Sequence, residues 1–312
     1  MNIQSDEELA KAYKFLEQGN CEEAKKVLER AILYDLESEE VKFVYYCGSY
    51  WNDSIKNLPN LTPFEQGESL ISVWEQFSTN LQEIPHTYPK AVYSIQKGVF
   101  TLALNAYKSL EDEKNPFQKA EICRKEGLCS KKLGDYESAL SYLMQANSLT
   151  PASAPVLAEM ADCFALCGEE KKAKVLFREA FFIDAQKINI EFLDSKLIRS
   201  LIDRVREKEY SLGELKEWIP VYGVLYGVFN VKRELRSLEI GKLKQEIYAK
   251  ENEIKDANSD EKLLVPKIIN MYFWLIDYYA RTDDSNNNIQ RCLLKIQALD
   301  VGVYKMYTTG KS

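Results

Sequence analysis

Residues 121–151 read EICRKEGLCSKKLGDYESALSYLMQANSLTP, and residues 155–185 read PVLAEMADCFALCGEEKKAKVLFREAFFIDA. Set one above the other, Gly134 falls on Gly168, Ala139 on Ala173, Ala146 on Ala180 and Leu149 on Ile183, each pair 34 residues apart. A fixed period of small and apolar residues marks a repeated unit that buries its apolar face against its neighbour. A third copy opens the chain at residues 5–38, SDEELAKAYKFLEQGNCEEAKKVLERAILYDLES. Here Ala12, Gly19, Ala24 and Ala31 take the slots of Gly127, Gly134, Ala139 and Ala146. This copy lies 115 residues upstream of the second, so helices of irregular length are expected to fill the interval.

Each copy reads as two antiparallel helices. Apolar residues recur at helical spacing up to Gly19, which ends the first helix in a left-handed conformation. Asn20 and Asp135 cap the second helix of their copies. Ser5 and Glu8 have the spacing of a capping box that would start the first helix. Ala12 or Gly127, facing Ala24 or Ala139, lets the two axes approach closely, and Ala31 and Ala146 suit packing on the next pair.

This pattern resembles the tetratricopeptide repeat family, a 34-residue helical hairpin with small residues at fixed slots. Gly127, Ala139, Ala146 and Pro151 match in residues 120–153, with Leu143 in place of the aromatic. Ala161, Ala173, Phe177 and Ala180 match in residues 154–187, and Ala12, Ala24 and Ala31 match in the first copy. The resemblance covers about a third of the chain. It implies an all-α fold: a right-handed α-solenoid of antiparallel helix pairs, closed by a helical C-terminal capping region. It further implies a concave groove lined by one face of each first helix. Carried over, that face is Leu9, Tyr13 and Leu16, then Arg124, Leu128, Lys131 and Lys132, then Ala158, Asp162 and Ala165. The family's carboxylate-clamp subtype needs asparagines on this face, and these positions hold none.

Three regions follow: residues 1–115, a repeat-like hairpin plus divergent helices; 116–187, two tandem repeats; and 188–312, a C-terminal helical region. In the first, residues 39–58 read as one aromatic helix, PFEQGESLISVWEQFSTNL (63–81) as a second, and residues 90–110 as a third. In the last, helices are expected at 189–208, 213–229, 234–257, 261–281 and 286–299. Ile240, Leu243, Ile247 and Ile254 form a narrow apolar stripe, read as bundle packing ahead of a heptad seam for a partner helix. In WIPVYGVLYGVF (218–229), Pro220 fits near a helix start, and Gly223 and Gly227, four apart, permit close helix contact. That segment reads as buried, as does MYFWLIDYYA (271–280).

Composition narrows the chemistry. The chain carries 13 glycines and 9 prolines in 312 residues, well under the roughly 12% of average usage, which disfavours a many-stranded fold. A net charge of −7 runs against a phosphate-backbone binder, so no nucleic-acid partner is expected. Its single histidine, His86, sits between Pro85 and Pro89 and reads as a loop residue rather than a catalytic base. Seven cysteines form no CxxC pair, and Cys163 and Cys167 read as packing residues, so no metal is expected. No phosphate-loop, dinucleotide or hydrolase motif occurs, and no cofactor or catalytic residue is assigned. The N-terminus lacks the basic and apolar regions of a secretory signal. The apolar run Ile219–Phe229 is shorter than the roughly 20 residues a membrane-spanning helix needs. A cytoplasmic protein with no membrane partner is the expectation.

The function this implies is a non-catalytic scaffold that holds a protein or peptide in the groove, with Arg124, Lys131 and Lys132 favouring acidic ligands. The same basic residues also read as an ordinary solvated face. The alternative is a ligand-sensing helical-repeat regulator that changes its superhelical conformation on binding. Oligomeric state does not follow from these residues.

Overall fold

Three glycines turn the three predicted hairpins. Gly19, Gly134 and Gly168 have φ of 73°, 83° and 82°, a region in which only glycine is unstrained. Each glycine N–H donates to the carbonyl three residues back, on Leu16, Lys131 and Ala165. The following N–H donates to the carbonyl five residues back, on Phe15, Ser130 and Phe164. Carbonyls at the end of the first helix are thereby satisfied in the same way in each hairpin. Asn20 and Asp135 then accept from the backbone N–H groups of Glu23 and Ser138, as expected of caps. Ala24, Ala139 and Ala173 are fully buried where the two helices of each hairpin meet. At Gly127 an added Cβ would lie 2.6 Å from Leu143 Cγ, so in this copy alanine would force the leucine to shift.

The computed structural model describes residues 3–231, 233–282 and 285–310. Among these residues the fold is all helical with no strand, and most helices pack on a sequence neighbour. The chain divides into two compact units, Met1–Pro151 and Ala152–Ser312, the division falling between the second and third repeat copies.

The first unit holds α1 (Ile3–Glu17), α2 (Cys21–Tyr34), α3 (Glu39–Ser54), α4 (Pro63–Gln82), α5 (Pro89–Lys108), α6 (Pro116–Lys132) and α7 (Tyr136–Leu149). The broken period has a plain cause. Helices α3 to α5 lie between the first and second copies, and α4 and α5 run 20 residues each against 14 in α2. α3 packs on α2, α4 pairs with α5, and α5 bridges α1 and α6. Trp51, Trp74, Phe77 and Phe100 form the core of this insertion, with Trp51 and Phe77 edge to face at 5.5 Å. Helix α3 stops at Ser54, short of the expected 58, where a 3-10 turn over Leu58–Asn60 brings in Pro59. Ser5 is not a cap: α1 already runs through it, and its buried hydroxyl donates to the Ala31 carbonyl of α2 at 3.2 Å. Glu8 instead pairs with Lys11 and Arg30.

The second unit holds α8 (Ala154–Leu166), α9 (Glu170–Asp184), α10 (Lys196–Arg206), α11 (Leu212–Leu225), α12 (Ser237–Glu253), α13 (Glu261–Tyr279), α14 (Ser285–Leu299) and α15 (Val301–Thr309). The helix expected from residue 189 begins only at Lys196. Two 3-10 turns, Ala185–Lys187 and Ile190–Phe192, precede it, the second capped by the Asn189 side chain. Pro220 sits inside α11, because a capping box of Ser211 and Glu214 starts that helix at Leu212. Gly223 and Gly227 do not form a helix-contact pair. Gly227 turns left-handed at φ 71°, and Phe229 folds back so that a Cβ on Gly223 would lie 2.3 Å from its ring. Ile240, Leu243 and Ile247 of α12 are buried, and that helix packs on α13. Of the stretch 271–280 expected to be buried, Met271 to Ile276 are, while residues 277–279 are half-buried and Ala280 is exposed. Arg178 of α9 pairs with Asp277 of α13, both largely buried.

Candidate functional site

The residues carried over to a groove do not share one environment. Leu9, Tyr13 and Leu16 of α1 are core, and the Tyr13 hydroxyl donates to Glu40 at 2.5 Å beneath the Lys90 ammonium. On α6, Leu128 and Lys131 are buried, Lys132 is half-buried, and the Lys132 carbonyl accepts from Gln96 Nε2 at 2.7 Å. Arg124 keeps a partly exposed guanidinium, which donates through Nε to Glu121 at 2.8 Å and through a second nitrogen at 2.5 Å. Burial raises the Glu121 pKa, but the Arg124 hydrogen bond and charge outweigh that, so the carboxyl lies below its ordinary value. On α8, Ala158 and Asp162 are buried and Ala165 is half-buried. The Asp162 carboxylate accepts from the backbone N–H groups of Asp194 and Ser195, both at 2.8 Å. It holds the start of α10.

What stays open is the N-terminal half of the α6 face. Phe117, Glu121, Arg124, Leu128 and Lys131 follow one another at spacings of four and three, so they form a single stripe along the helix. Its lower half, Leu128 and Lys131, is closed, while Phe117 at the upper end is 76% exposed. Phe117 borders a cavity of about 400 Å³ lined by Phe64, Leu110, Glu113, Gln118, Glu121 and Ile122.

Local sequence fixes these walls. Pro116 occupies the first turn of α6, and the Asn115 side chain accepts from the N–H groups of Phe117 and Gln118. Glu113 accepts from the Asn115 N–H at 2.8 Å, and Lys119 donates to the Glu111 carbonyl at 2.7 Å, which ties down the turn between α5 and α6. Phe64 follows a second capping box, Thr62 with Glu65, and its ring meets Tyr107 edge-on at 5.8 Å. Glu68 binds α4 to both neighbours: it accepts from Tyr107 of α5 and from Lys125 of α6 at 2.5 and 2.8 Å. The cavity therefore rests on three helices cross-linked by one carboxylate. An apolar floor with two carboxylates and an amide at its rim suits the seating of an apolar side chain.

A second depression of about 520 Å³ lies over Glu39, Lys42, Phe43, Tyr46, Ile84, His86 and Tyr88. His86 packs edge-on against Tyr88 at 5.1 Å, so it is a loop residue in an aromatic contact. Among the described residues no group of three or more His, Cys, Asp or Glu side chains is placed to hold a metal ion. No helix among them is long and apolar enough to cross a membrane.

Sequence reading missed the cavity. Continuing the stripe back from Arg124 at the same spacing reaches Glu121 and Phe117, and the Asn115-Pro116 pair marks where it begins, so half was there to be read. Phe64 and Leu110 reach the site from other helices, and only tertiary packing brings them there.

α6 also buries Glu126, where burial pushes the carboxyl above its ordinary range, Lys119 and Lys108 oppose the shift, and Glu111 adds to it. A carboxyl with a raised folded pKa holds its proton more tightly in the native state. Its destabilising effect is absent below the unfolded value of about 4.3 and grows as pH rises towards the folded value. Glu126→Gln is expected to raise the urea midpoint relative to wild type at pH 7, with the gap closing by pH 4. A gap that is the same at every pH would contradict this.

No protein-family model matches the chain, and no curated protein matches it.

Proposed function

We propose that this chain is a non-catalytic helical-repeat scaffold, similar in its hairpins to the tetratricopeptide family, that holds a segment of a partner protein. The observation that carries this reading is the cavity at the open end of the α6 stripe, where Phe117 is 76% exposed beside Phe64, Leu110 and Ile122. An apolar anchor from the partner would complete that surface. The matching turn hydrogen bonds of the three hairpins support the repeat reading, and right-handed superhelical stacking belongs to the same proposal.

The structure offers less support for a preference for acidic partners. Lys131 is buried and Arg124 is held by Glu121, so selection rests on the apolar anchor. Seven cysteines outside any disulfide, with Cys167 exposed, fit the reducing cytoplasm.

Phe117→Ser removes the anchor's main contact while leaving the core intact. Partner capture from native lysate, quantified by mass spectrometry, is expected to lose one protein roughly tenfold or more with this variant. Leu33→Ser serves as the control, because Leu33 on α2 is 78% exposed and away from the cavity. A partner lost equally from both variants, or from neither, would overturn the assignment.

A further inference from the structure

The second unit contains a polar cavity of about 230 Å³ lined by Arg233, Glu234, Leu235, Trp274, Asp277, Tyr278, Arg281 and Thr282. Trp274 of α13 is its centre. The ring of Phe182 packs on the indole at 4.6 Å, and the guanidinium carbons of Arg178 and Arg233 lie 4.8 and 5.9 Å from its centroid. Trp274 and Arg178 are each 2% exposed.

Three buried donors in this cluster have no acceptor: the indole Nε1 of Trp274 and the Nε of both Arg178 and Arg233. Buried N–H groups are nearly always paired with protein, water or ligand, and two of the three unpaired donors, on Trp274 and Arg233, belong to residues that line the cavity, so they point to a missing acceptor there. The neighbouring carboxylates do not supply it. Asp277 takes Arg178, Glu239 and Glu179 take Arg233, and Glu234 takes Arg281 from an 87% exposed position. What the site lacks is an acceptor-only group, small enough for a cavity below the usual range for drug-sized ligands.

We propose that this cavity binds a compact oxyanion, a phosphate or a small carboxylate, whose oxygens accept from Trp274 and Arg233. Guanidinium groups suit such an ion because their N–H donors match its oxygens in pairs. Arg281 also lines the cavity, partly exposed and paired with Glu234. The site shares no residue with the α6 cavity, so it stands or falls apart from the scaffold reading.

The test is isothermal titration of the full chain with sodium phosphate and, separately, sodium benzoate, at constant ionic strength with chloride as the blank. Saturable binding of either ion is expected, and the two arms say which oxyanion chemistry the cavity takes. Trp274→Phe keeps the ring and removes the unpaired N–H. It is expected to unfold at or above the wild-type temperature without ligand, and to bind about tenfold more weakly. If that variant fails to fold, Arg281→Gln, at the partly exposed mouth, gives the same comparison of affinities. No saturable heat with either ion would mean that the cavity holds water alone, and the proposal would fall. Equal affinity in wild type and variants would also overturn it.

Discussion

Gly98→Ala is expected to destabilise the first unit by about 3 kcal/mol or more, at the upper end of what overpacking a core costs. Gly98 lies in α5 against the end of α1, where an added Cβ would fall 2.0 Å from the Leu16 carbonyl oxygen and 2.9 Å from the Gly19 nitrogen. Both obstacles are backbone, so no change of rotamer relieves the overlap. The α1–α5 seam must open, and with it the packing of Leu102 over Gly19, where a Cβ would lie 2.7 Å from the leucine side chain. Because α5 is also the bridge from α1 to α6, the strain reaches the helix that carries the candidate site. Gly241→Ala is the internal control. Gly241 is exposed inside α12 with nothing within 4 Å of an added Cβ, so alanine there should stabilise by about 0.5–1 kcal/mol through helix propensity. Urea unfolding of the two variants beside wild type decides the matter. A Gly98→Ala midpoint equal to wild type would rule out the close α1–α5 contact.

Gly98 also shows where sequence reading stops. The hairpin turns were legible because their signals are local: a glycine followed by a capping residue has one favourable arrangement whatever surrounds it. Gly134 with Asp135 and Gly19 with Asn20 behave accordingly. Close approach between α1 and α5 has no such signature, because the two surfaces are far apart in the chain. Short helices escape notice for a related reason. A single residue, Asp300, separates α14 from α15 and accepts from the Val303 N–H, and the nine residues of α15 give periodicity little to work on. The hardest misreading concerns charge. Lys125, Glu126 and Lys131 make α6 look like a solvated helix, yet all three are buried. Periodicity assigns a charged residue to the outside unless a partner is visible, and the partner of Lys125 is Glu68, 57 residues away. Of the α6 stripe, Leu128 and Lys131 are closed in and the Phe117 end is open.

Asp162 puts that misreading to the sharpest test. As a groove residue it would contact a ligand, and replacing it would alter binding with little effect on stability. The structure gives it another task. It is fully buried, and its two carboxylate oxygens accept separately from the N–H groups of Asp194 and Ser195 at the start of α10. Hydrogen bonds to a charged acceptor contribute about 1.5–3 kcal/mol each, and losing them leaves buried donors unpaired. Asp162→Ala is accordingly expected to cost the second unit about 3–5 kcal/mol. Asp162→Asn should rescue little, because its amide offers one acceptor oxygen and turns an NH2 donor towards the remaining N–H. Glutamate should also fail, since the longer chain cannot fit its carboxylate into a fully buried space without moving α10. Amide hydrogen exchange at Asp194 and Ser195 reports the interaction directly: both N–H groups should exchange slowly in wild type and much faster in Asp162→Asn. If the Asn variant unfolds with wild-type energetics and leaves their exchange unchanged, Asp162 is not the brace of α10, and its place in a binding face returns to consideration.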